Sequence, residues 1–315
     1  MPILSKAQEV EQRFHQLAQS GSYAEALDLA TRESHRFPEH AQKVVYAWRF
    51  TMACRLKNKN QALKILKEAI DAGHWYGDLE TDPDYDLLKG DVEFEKIVNI
   101  CTERRVRAIA DSVPVMMVKR PDSKNATYPL LIALHGSNGN IELNPWESAV
   151  SEGWLVALPQ SSQIFAPGTF TWNDWDWAQH EVSERFSTLC SEYPIDPKQI
   201  VLTGFSLGAG LAAWLVFSGK IMARGLILVN PFLQDPTEII PFLENINLGG
   251  LNVYLVAGQR DQYCLGVAQQ LNTILPKYGI NCFLDVYSDL DHSFPADFEQ
   301  KLPQALKFVT MTEDR

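Results

Sequence analysis

Residues 200–217 read Ile-Val-Leu-Thr-Gly-Phe-Ser-Leu-Gly-Ala-Gly-Leu-Ala-Ala-Trp-Leu-Val-Phe, and this stretch decides the fold. Four residues with high strand propensity lead into Ser206, which is flanked by Gly204 and Gly208, and an Ala-rich apolar segment follows. This order of strand, tight turn and helix is typical of a serine nucleophile raised above the edge of a sheet. The two glycines leave room where the strand and the helix must approach each other closely. We therefore predict that Ser206 is a catalytic nucleophile.

Two other interpretations of this stretch do not fit its residues. Residues 200–219 carry no charge, as in a membrane span, but glycines and Ser206 divide the run into a strand and a helix of an α/β core. We therefore expect no integral membrane segment. Residues 208–213 resemble a dinucleotide-binding loop, which requires an acidic residue at the end of the next strand. Asn230 stands there instead.

The composition limits the classes of partner. The chain has 315 residues, 46% of them hydrophobic, and a formal net charge of −11 at pH 7. This length is enough for one large domain or two ordinary ones with a substantial core. The negative charge argues against nucleic acid, and against an anionic membrane surface, as partners bound by bulk electrostatics.

The cysteines indicate the cellular setting. They lie far apart in the sequence, so that neither a disulfide framework nor a zinc site is predicted. The five are Cys54, Cys101, Cys190, Cys264 and Cys282. The first residues are polar and lack the apolar core of a signal peptide. We predict a reducing, cytoplasmic setting and a protein that needs no metal or other cofactor.

Residues 1–104 have a helical pattern and are predicted to form a separate domain. Residues 21–27, Gly-Ser-Tyr-Ala-Glu-Ala-Leu, return loosely as 57–63, Lys-Asn-Lys-Asn-Gln-Ala-Leu. This resembles a tetratricopeptide helix pair, although the second copy lacks the glycine and the aromatic residue. Two interpretations remain open for this domain: a groove that binds a protein partner, or a structural cap on the rest of the chain.

Residues 105–315 have the pattern of an α/β domain. Short apolar runs alternate with helical stretches, and most of the runs show no polar alternation, which indicates strands covered on both faces. The fold class predicted is therefore a mostly parallel sheet flanked by helices, preceded by a small helical repeat-like domain. The predicted strands are 113–118, 130–134, 154–158, 200–203, 226–229, 253–256 and 283–287.

Two later residues complete a catalytic triad. A serine hydroxyl needs a general base and an acid that orients this base. His292 is the only one of the seven histidines that follows Ser206, and Asp261 comes after the strand 253–256. Asp289 and Asp291 are alternative acids, but neighbours in a tight turn rarely point at the adjacent imidazole. We predict the triad Ser206, His292 and Asp261.

An oxyanion hole is expected from two backbone amides. The strand 130–134 ends in His135-Gly-Ser-Asn-Gly, a flexible turn at the place where one amide donor is needed. The second donor is the residue after the nucleophile. We assign the amides of Ser137 and Leu207, and we expect His135 to pack within its loop rather than to act as a second base.

These segments resemble a known family. Leu-His-Gly at 134–136, Ile-Asp-Pro-Lys-Gln-Ile before Gly-Phe-Ser-Leu-Gly, Gly-Gln-Arg-Asp at 258–261 and Asp-His-Ser at 291–293 are similar to the phospholipase/carboxylesterase branch of the α/β-hydrolase superfamily. The resemblance covers residues 110–310 and implies an α/β-hydrolase fold. It also implies hydrolysis of carboxylic esters or thioesters by a metal-independent serine triad. Leu207 departs from many relatives, which carry a polar residue there.

The loop 165–177 is rich in aromatic residues. Their density predicts one wall of an apolar substrate pocket or a lid, and packing of the loop on the helical domain is the alternative. The four are Phe170, Trp172, Trp175 and Trp177.

The sequence therefore favours a serine esterase that acts on a small-molecule ester with an apolar acyl group. Thioesters and lysophospholipids are alternative substrates. A non-catalytic adaptor that uses the helical repeats, and a peptidase built on the same triad, are alternative functions.

Overall fold

A computed structural model describes residues 6–122, 126–142, 145–246 and 248–311, apart from the side chain of His40. The chain forms two compact units. The first extends to Asp111 and includes the segment Phe165–Pro167, and the second comprises Ser112–Ile164 and the residues from Gly168 onward. Within the described residues, no helix is both long and apolar enough to cross a membrane.

The first unit is helical. Each of its helices buries an apolar stripe, and Ala26 and Ala62, the alanines of the two predicted repeat copies, are both fully buried. Small residues at these points let neighbouring helices pack closely. The helices are α1 (Lys6–Gln19), α2 (Tyr23–Arg32), α3 (Gln42–Arg55), α4 (Lys59–Asp71) and α5 (Val92–Ala110).

The two repeat copies have the same backbone conformation at their turns. Gly21 and Lys57 occupy equivalent positions, and both are left-handed, with φ of 77° and 58°. The next residue in each copy, Ser22 or Asn58, is the N-cap of the following helix. Asn58 Oδ1 accepts a hydrogen bond from the amide of Gln61 at 3.2 Å. In the second copy, lysine therefore takes the place of glycine, although the left-handed conformation costs lysine more energy than glycine.

Helix α5 continues past the predicted domain boundary. The carboxylate of Asp91 caps its first turn by accepting from the amides of Glu93 and Phe94. Its last turns contain a charged segment, 103–107, with no apolar stripe to mark it as helical. The boundary predicted after residue 104 lies inside this helix, and the first compact unit extends to Asp111.

The second unit is built on a seven-stranded sheet with the order β1-β3-β2-β6-β7-β8-β9. Its strands run parallel except β1, which pairs antiparallel with β3. All seven predicted strands are present, and the predicted fold class is confirmed. The strands are β1 (Val115–Lys119), β2 (Tyr128–Leu134), β3 (Leu155–Gln160), β6 (Ile195–Phe205), β7 (Gly225–Val229), β8 (Asn252–Gly258) and β9 (Asn281–Tyr287).

A short two-stranded ribbon, β4 (Ile164–Ala166) and β5 (Thr169–Phe170), lies outside this sheet. It was not predicted, because two and three residues are too few for a recognisable pattern. Phe170 also bridges to Gly139, which ties the aromatic loop to the turn after β2.

Alternate side chains of the central strands enter two separate cores, one on each face of the sheet. One core contains Leu130, Ile132 and Leu134, and the other contains Leu131 and Ala133. Helices cover both faces, as expected for parallel strands. They are α6 (Trp175–Glu192), α7 (Leu207–Phe217), α8 (Ile240–Asn245), α9 (Gln262–Ile274) and α10 (Phe298–Thr310).

Candidate active site

Ser206 lies in a sharp turn between β6 and α7. Its backbone has φ of 54° and ψ of −122°, outside the regions that residues with a side chain normally occupy. The amide of Ser206 donates to Val229 O at 2.9 Å, and its carbonyl accepts from the amides of Gly210 and Phe232. Surrounding hydrogen bonds therefore hold the strained residue in place, as is common at functional sites.

The glycines around Ser206 are required by close backbone contacts. A Cβ atom on Gly208 would lie 2.3 Å from His135 O and 2.5 Å from Leu134 O. A Cβ atom on Gly204 would lie 2.5 Å from the carbonyl carbon of Gly208. Helix α7 therefore starts directly against β6 and the end of β2, which fixes the position of Ser206.

The three residues of the predicted triad are hydrogen-bonded in series. His292 Nε2 lies 2.8 Å from Ser206 Oγ. His292 Nδ1 lies 2.5 Å from Asp261 Oδ2. Asp261 follows β8 and His292 follows β9, so neighbouring parallel strands bring both side chains to the edge of the sheet where Ser206 lies. The geometry is that of a nucleophile, a base and an orienting acid.

Asp261 is mostly shielded from solvent, with 11% of its side chain exposed. Burial alone would raise the pKa of Asp261, but hydrogen bonds from His292 and Cys264 outweigh it, and the pKa lies below its ordinary value. One of these bonds runs from the Cys264 amide to Asp261 Oδ1 at 3.2 Å, since Asp261 is the N-cap of α9. The carboxylate is therefore ionised where it accepts from the imidazole.

Asp261, Cys264 and His292 form a group that could hold a metal ion, with ligand atoms within 4.8 Å of one another. An ion at this position would have to break the bond between His292 and Asp261. Burial raises the pKa of the Cys264 thiol well above its ordinary range, which disfavours the thiolate that a metal needs. The arrangement therefore suits proton transfer better than metal binding.

The two alternative acids have other partners. Asp289 pairs with Arg260 at 3.1 Å, and Asp291 Oδ1 accepts from Ser293 Oγ at 2.7 Å. Asp261 is the carboxylate that contacts the imidazole of His292.

Asn230 links the loops that carry Asp261 and His292. It is fully buried and left-handed, with φ of 43°. Its Nδ2 donates to Ser293 O at 2.8 Å, and its Oδ1 accepts from the Gly258 amide at 2.9 Å. Ser293 follows His292 directly, and Gly258 ends β8 shortly before Asp261. One side chain therefore fixes the spacing of both loops.

The turn after β2 lies against Ser206. A Cβ atom on Gly136 would lie 3.4 Å from Ser206 Cβ and 2.9 Å from a ring carbon of Phe205. Leu207 is the first residue of α7, so its amide has no acceptor within the helix. Within the described part of the chain, neither this amide nor that of Ser137 donates to a protein acceptor. Both are available to an oxyanion.

His135 holds this turn. Its Nδ1 lies 2.8 Å from Gly136 O, and its Nε2 accepts from the Ser161 amide at 3.3 Å. Because a carbonyl accepts and an amide donates, the imidazole must be neutral with its proton on Nδ1. Burial lowers the pKa of His135 to about 4, against the opposing effect of the bond with Gly136. In a trans peptide the Ser137 N–H points away from the Gly136 carbonyl, so His135 sets its direction.

Known proteins share parts of this chain. Residues 7–109 match the family described as "A/B hydrolase-like, N-terminal domain". A solved structure of an uncharacterized protein from Bacillus cereus ATCC 10987 is 26% identical, and the match covers 96% of this chain and 99% of that chain with a TM-score of 0.55. The helical unit and the sheet therefore occur together in another protein.

Other proteins similar to this chain carry functional names. A structure entitled "Crystal Structure of the Bacillus cereus Carboxylesterase" is 21% identical and matches 65% of this chain and 99% of that chain, with a TM-score of 0.50. A Bacillus subtilis (strain 168) protein named "Putative hydrolase MhqD" is 24% identical over 152 residues, which are 45% of this chain and 74% of that protein. The chain has the α/β-hydrolase fold. The resemblance predicted from the sequence is confirmed.

A pocket of about 370 Å³ opens next to the turn that contains Ser206. It includes Leu207, and it includes Phe232, whose amide donates to Ser206 O at 3.0 Å. The other residues that line it are Asn173, Trp175, Trp214, Leu233, Gln234, Asp235, Glu238 and Ile239.

Only one of the four predicted pocket aromatics lines this pocket. Trp175 does so. Trp172 is instead fully buried, stacks on His135 with ring centroids 4.7 Å apart, and donates from Nε1 to His135 O. Phe170 lies in β5, and Trp177 is an exposed residue of α6. The prediction was wrong for Trp172 because the structure uses this ring to support the turn after β2.

A second hollow, of about 330 Å³, is lined in part by Gly136, Ser137, Phe205 and Phe294. The ring of Phe205 stacks on Phe294 at 4.7 Å and lies 4.9 Å from the ring of His292. Phe205 therefore connects this hollow with the imidazole of His292.

Sequence reasoning missed Asn230, Trp214 and Phe232. Asn230 and Phe232 could have been found from their position in the chain. They follow the strand next to that of Ser206, where α/β proteins place ligand-binding loops. For Trp214, a residue inside an apolar helix, no such signal existed.

Proposed function

We propose that this protein is a serine hydrolase that cleaves carboxylic esters through an acyl-enzyme intermediate. The observation that carries the proposal is the series of hydrogen bonds from Asp261 through His292 to Ser206. The names of the Bacillus carboxylesterase and hydrolase relatives support the same reaction class.

The first half of the reaction uses the triad and the two amides. His292 Nε2 removes the proton as Ser206 Oγ attacks the acyl carbon, and Asp261 keeps the other imidazole proton on Nδ1. Negative charge develops on the carbonyl oxygen, which the amides of Leu207 and Ser137 stabilise. Removal of one such donor typically costs about 2.7–4 kcal/mol. His292 then protonates the leaving oxygen, and the acyl group remains on Ser206.

The second half repeats these steps with water. His292 takes a proton from water, the hydroxide attacks the acyl carbon, and Ser206 leaves with the proton returned from His292. The reaction needs no step on a metal or an organic cofactor.

Steady-state kinetics test the proposal. We expect turnover of p-nitrophenyl esters, a loss in kcat of about 10⁴-fold or more in Ser206→Ala and in His292→Ala, and a smaller loss in Asp261→Asn. Ser191→Ala, which removes an exposed hydroxyl that donates to Thr188 O, is the matched control and keeps full activity. Turnover that survives in Ser206→Ala would refute the assignment.

A matched substrate series separates the remaining alternatives. Oxygen esters, thioesters, lysophospholipids and peptide amides with one common acyl group are compared by kcat/KM, and we expect the oxygen esters to be preferred.

We also propose a reducing, cytoplasmic location, which the five free thiols support. Binding of a protein partner by the helical unit stays a prediction.

A further inference from the structure

The site has two hollows, and the direction of proton transfer assigns one part of the ester to each. His292 must protonate the leaving oxygen, so the leaving group lies on the imidazole side of Ser206. Phe205 contacts the imidazole and lines the second hollow. The leaving group therefore points toward that hollow, and the acyl group points into the pocket that contains Leu207 and Phe232.

The walls of the acyl pocket are flat and fixed. The rings of Trp175 and Trp214 lie 5.5 Å apart at 56°. Phe232 stacks on Tyr263 at 5.0 Å, and Tyr263 is held by a 2.8 Å bond from its hydroxyl to Leu233 O. Aromatic walls favour a flat or compact apolar group, because offset and edge-on ring contacts add to the burial of apolar area.

The size of the pocket is sufficient for an aryl acyl group. Its volume is about 370 Å³, whereas an apolar cavity of about 150 Å³ in another protein holds benzene. A benzoyl or phenylacetyl group fits with room to spare. The buried side chains of Leu233 and Ile239 add apolar surface to the pocket.

The rim of the pocket is acidic. Of the described residues that line it, Asp235 and Glu238 carry carboxylates and none is cationic. Hydrogen bonds from the Thr237 hydroxyl and amide lower the pKa of Asp235, which is therefore ionised at neutral pH. The net charge of −11 adds to the negative potential. An anionic group on the acyl part would be repelled.

We propose that the pocket beside Leu207 binds an uncharged aryl or compact apolar acyl group and rejects acyl groups that carry a carboxylate. This rests on the proposed ester hydrolysis and adds the substrate class to it.

A pair of nearly isosteric esters tests the charge preference. The p-nitrophenyl esters of 4-methylbenzoic acid and of terephthalic acid monoanion differ mainly by one charge, and we expect kcat/KM to favour the neutral ester at least tenfold. Asp235→Asn and Glu238→Gln each reduce this ratio about fivefold at low ionic strength, and added salt reduces it in the unmodified protein. In Asp235→Asn, the asparagine side chain can still cap the turn that follows residue 235.

Glu192→Gln is the matched control, because it removes an exposed carboxylate that does not line the pocket. We expect it to leave the ratio unchanged. Equal kcat/KM for the two esters, or an effect of Glu192→Gln as large as that of Glu238→Gln, would overturn the proposal.

A second series tests the preference for an aryl over a long alkyl acyl group. With p-nitrophenol as the constant leaving group, we expect kcat/KM to be higher for benzoyl than for decanoyl esters, and Trp214→Leu to reduce this preference at least threefold. A preference for decanoyl esters would overturn the proposal. If Ser206 is acylated by these esters without selection, the substrate class is wrong and the hydrolase function stands. If none of them acylates Ser206 and a fluorophosphonate does not label it, both proposals fail.

Discussion

Asn230 donates a hydrogen bond from Nδ2 to the carbonyl of Ser293, the residue after His292, at 2.8 Å. The same amide accepts from Gly258, where the acid loop begins. We expect Asn230→Asp, which keeps the shape and removes the donor, to lower kcat at least tenfold with a smaller change in KM. Loss of a buried hydrogen bond also lowers the free energy of unfolding by about 1–3 kcal/mol.

Asn99→Asp makes the same chemical change at an exposed position of α5 and is the control. Both variants are compared by ester kinetics and by urea unfolding. Unchanged kcat in a folded Asn230→Asp protein would show that this side chain does not position the base.

A second prediction concerns His135 and the turn after β2. His135→Phe keeps a ring that can stack on Trp172 but loses the Nδ1 donor to Gly136 O. If this bond directs the Ser137 amide, kcat falls about 10²–10³-fold, the range for a lost oxyanion donor. A trifluoromethyl ketone inhibitor, whose adduct with Ser206 carries an oxyanion, loses affinity in parallel. A merely structural role of His135 would not make inhibitor affinity and kcat fall together.

His180→Phe is the matched control, because His180 is an exposed residue of α6. Wild-type inhibitor affinity in His135→Phe would contradict the positioning role.

The pH dependence of stability provides a third prediction. Burial lowers the pKa of His135 from 6.5 to about 4. Between these values the unfolded chain binds a proton that the folded protein does not, so stability falls as pH decreases from 6.5 to 4. The shift corresponds to about 3 kcal/mol.

Urea unfolding of the wild type and of His135→Phe at pH 7, 5 and 4 measures this effect. We expect the wild type to lose about 3 kcal/mol more than the variant between pH 7 and pH 4. Parallel losses in the two proteins would show that His135 is protonated in the folded state.

Much of this architecture could be predicted because it depends on local patterns. The apolar runs of the strands, the glycines around Ser206 and the position of His292 as the sole later histidine are all visible in the sequence. The structure brings Asp261, His292 and Ser206 together in the predicted order, although their catalytic roles stay proposals.

The rest depends on tertiary packing that no local pattern records. The sequence predicts Trp172 as an aromatic residue of a loop that lines a pocket, yet its ring packs on His135 in the turn after β2. Trp214 lies in an apolar segment that predicts a buried helix, yet its side chain lines the pocket. Lys57 takes a backbone conformation that glycine adopts in the first repeat copy, which weakens the sequence match between the two copies.

A fourth prediction tests the close contact between α7 and β2. Gly208→Ala would place a Cβ atom 2.3 Å from His135 O. We expect it to lower the free energy of unfolding by at least 2 kcal/mol, because backbone must move to relieve the clash. In Gly266→Ala the new methyl group meets no atom within 4 Å, and Gly266 lies inside α9.

We expect Gly266→Ala to stabilise the protein by about 0.5–1 kcal/mol, since alanine favours the helix. Thermal and urea unfolding of both variants give the comparison. Equal effects of the two substitutions would contradict the close approach at Gly208.

The central claim is that Ser206 is a nucleophile activated by His292. Intact-mass spectrometry with peptide mapping after treatment with a fluorophosphonate tests this claim most directly. We predict one adduct per chain on the peptide that contains Ser206, none in Ser206→Ala, and labelling slowed at least 10³-fold in His292→Ala. An adduct on another residue, or equal labelling rates with and without the imidazole, would contradict the account.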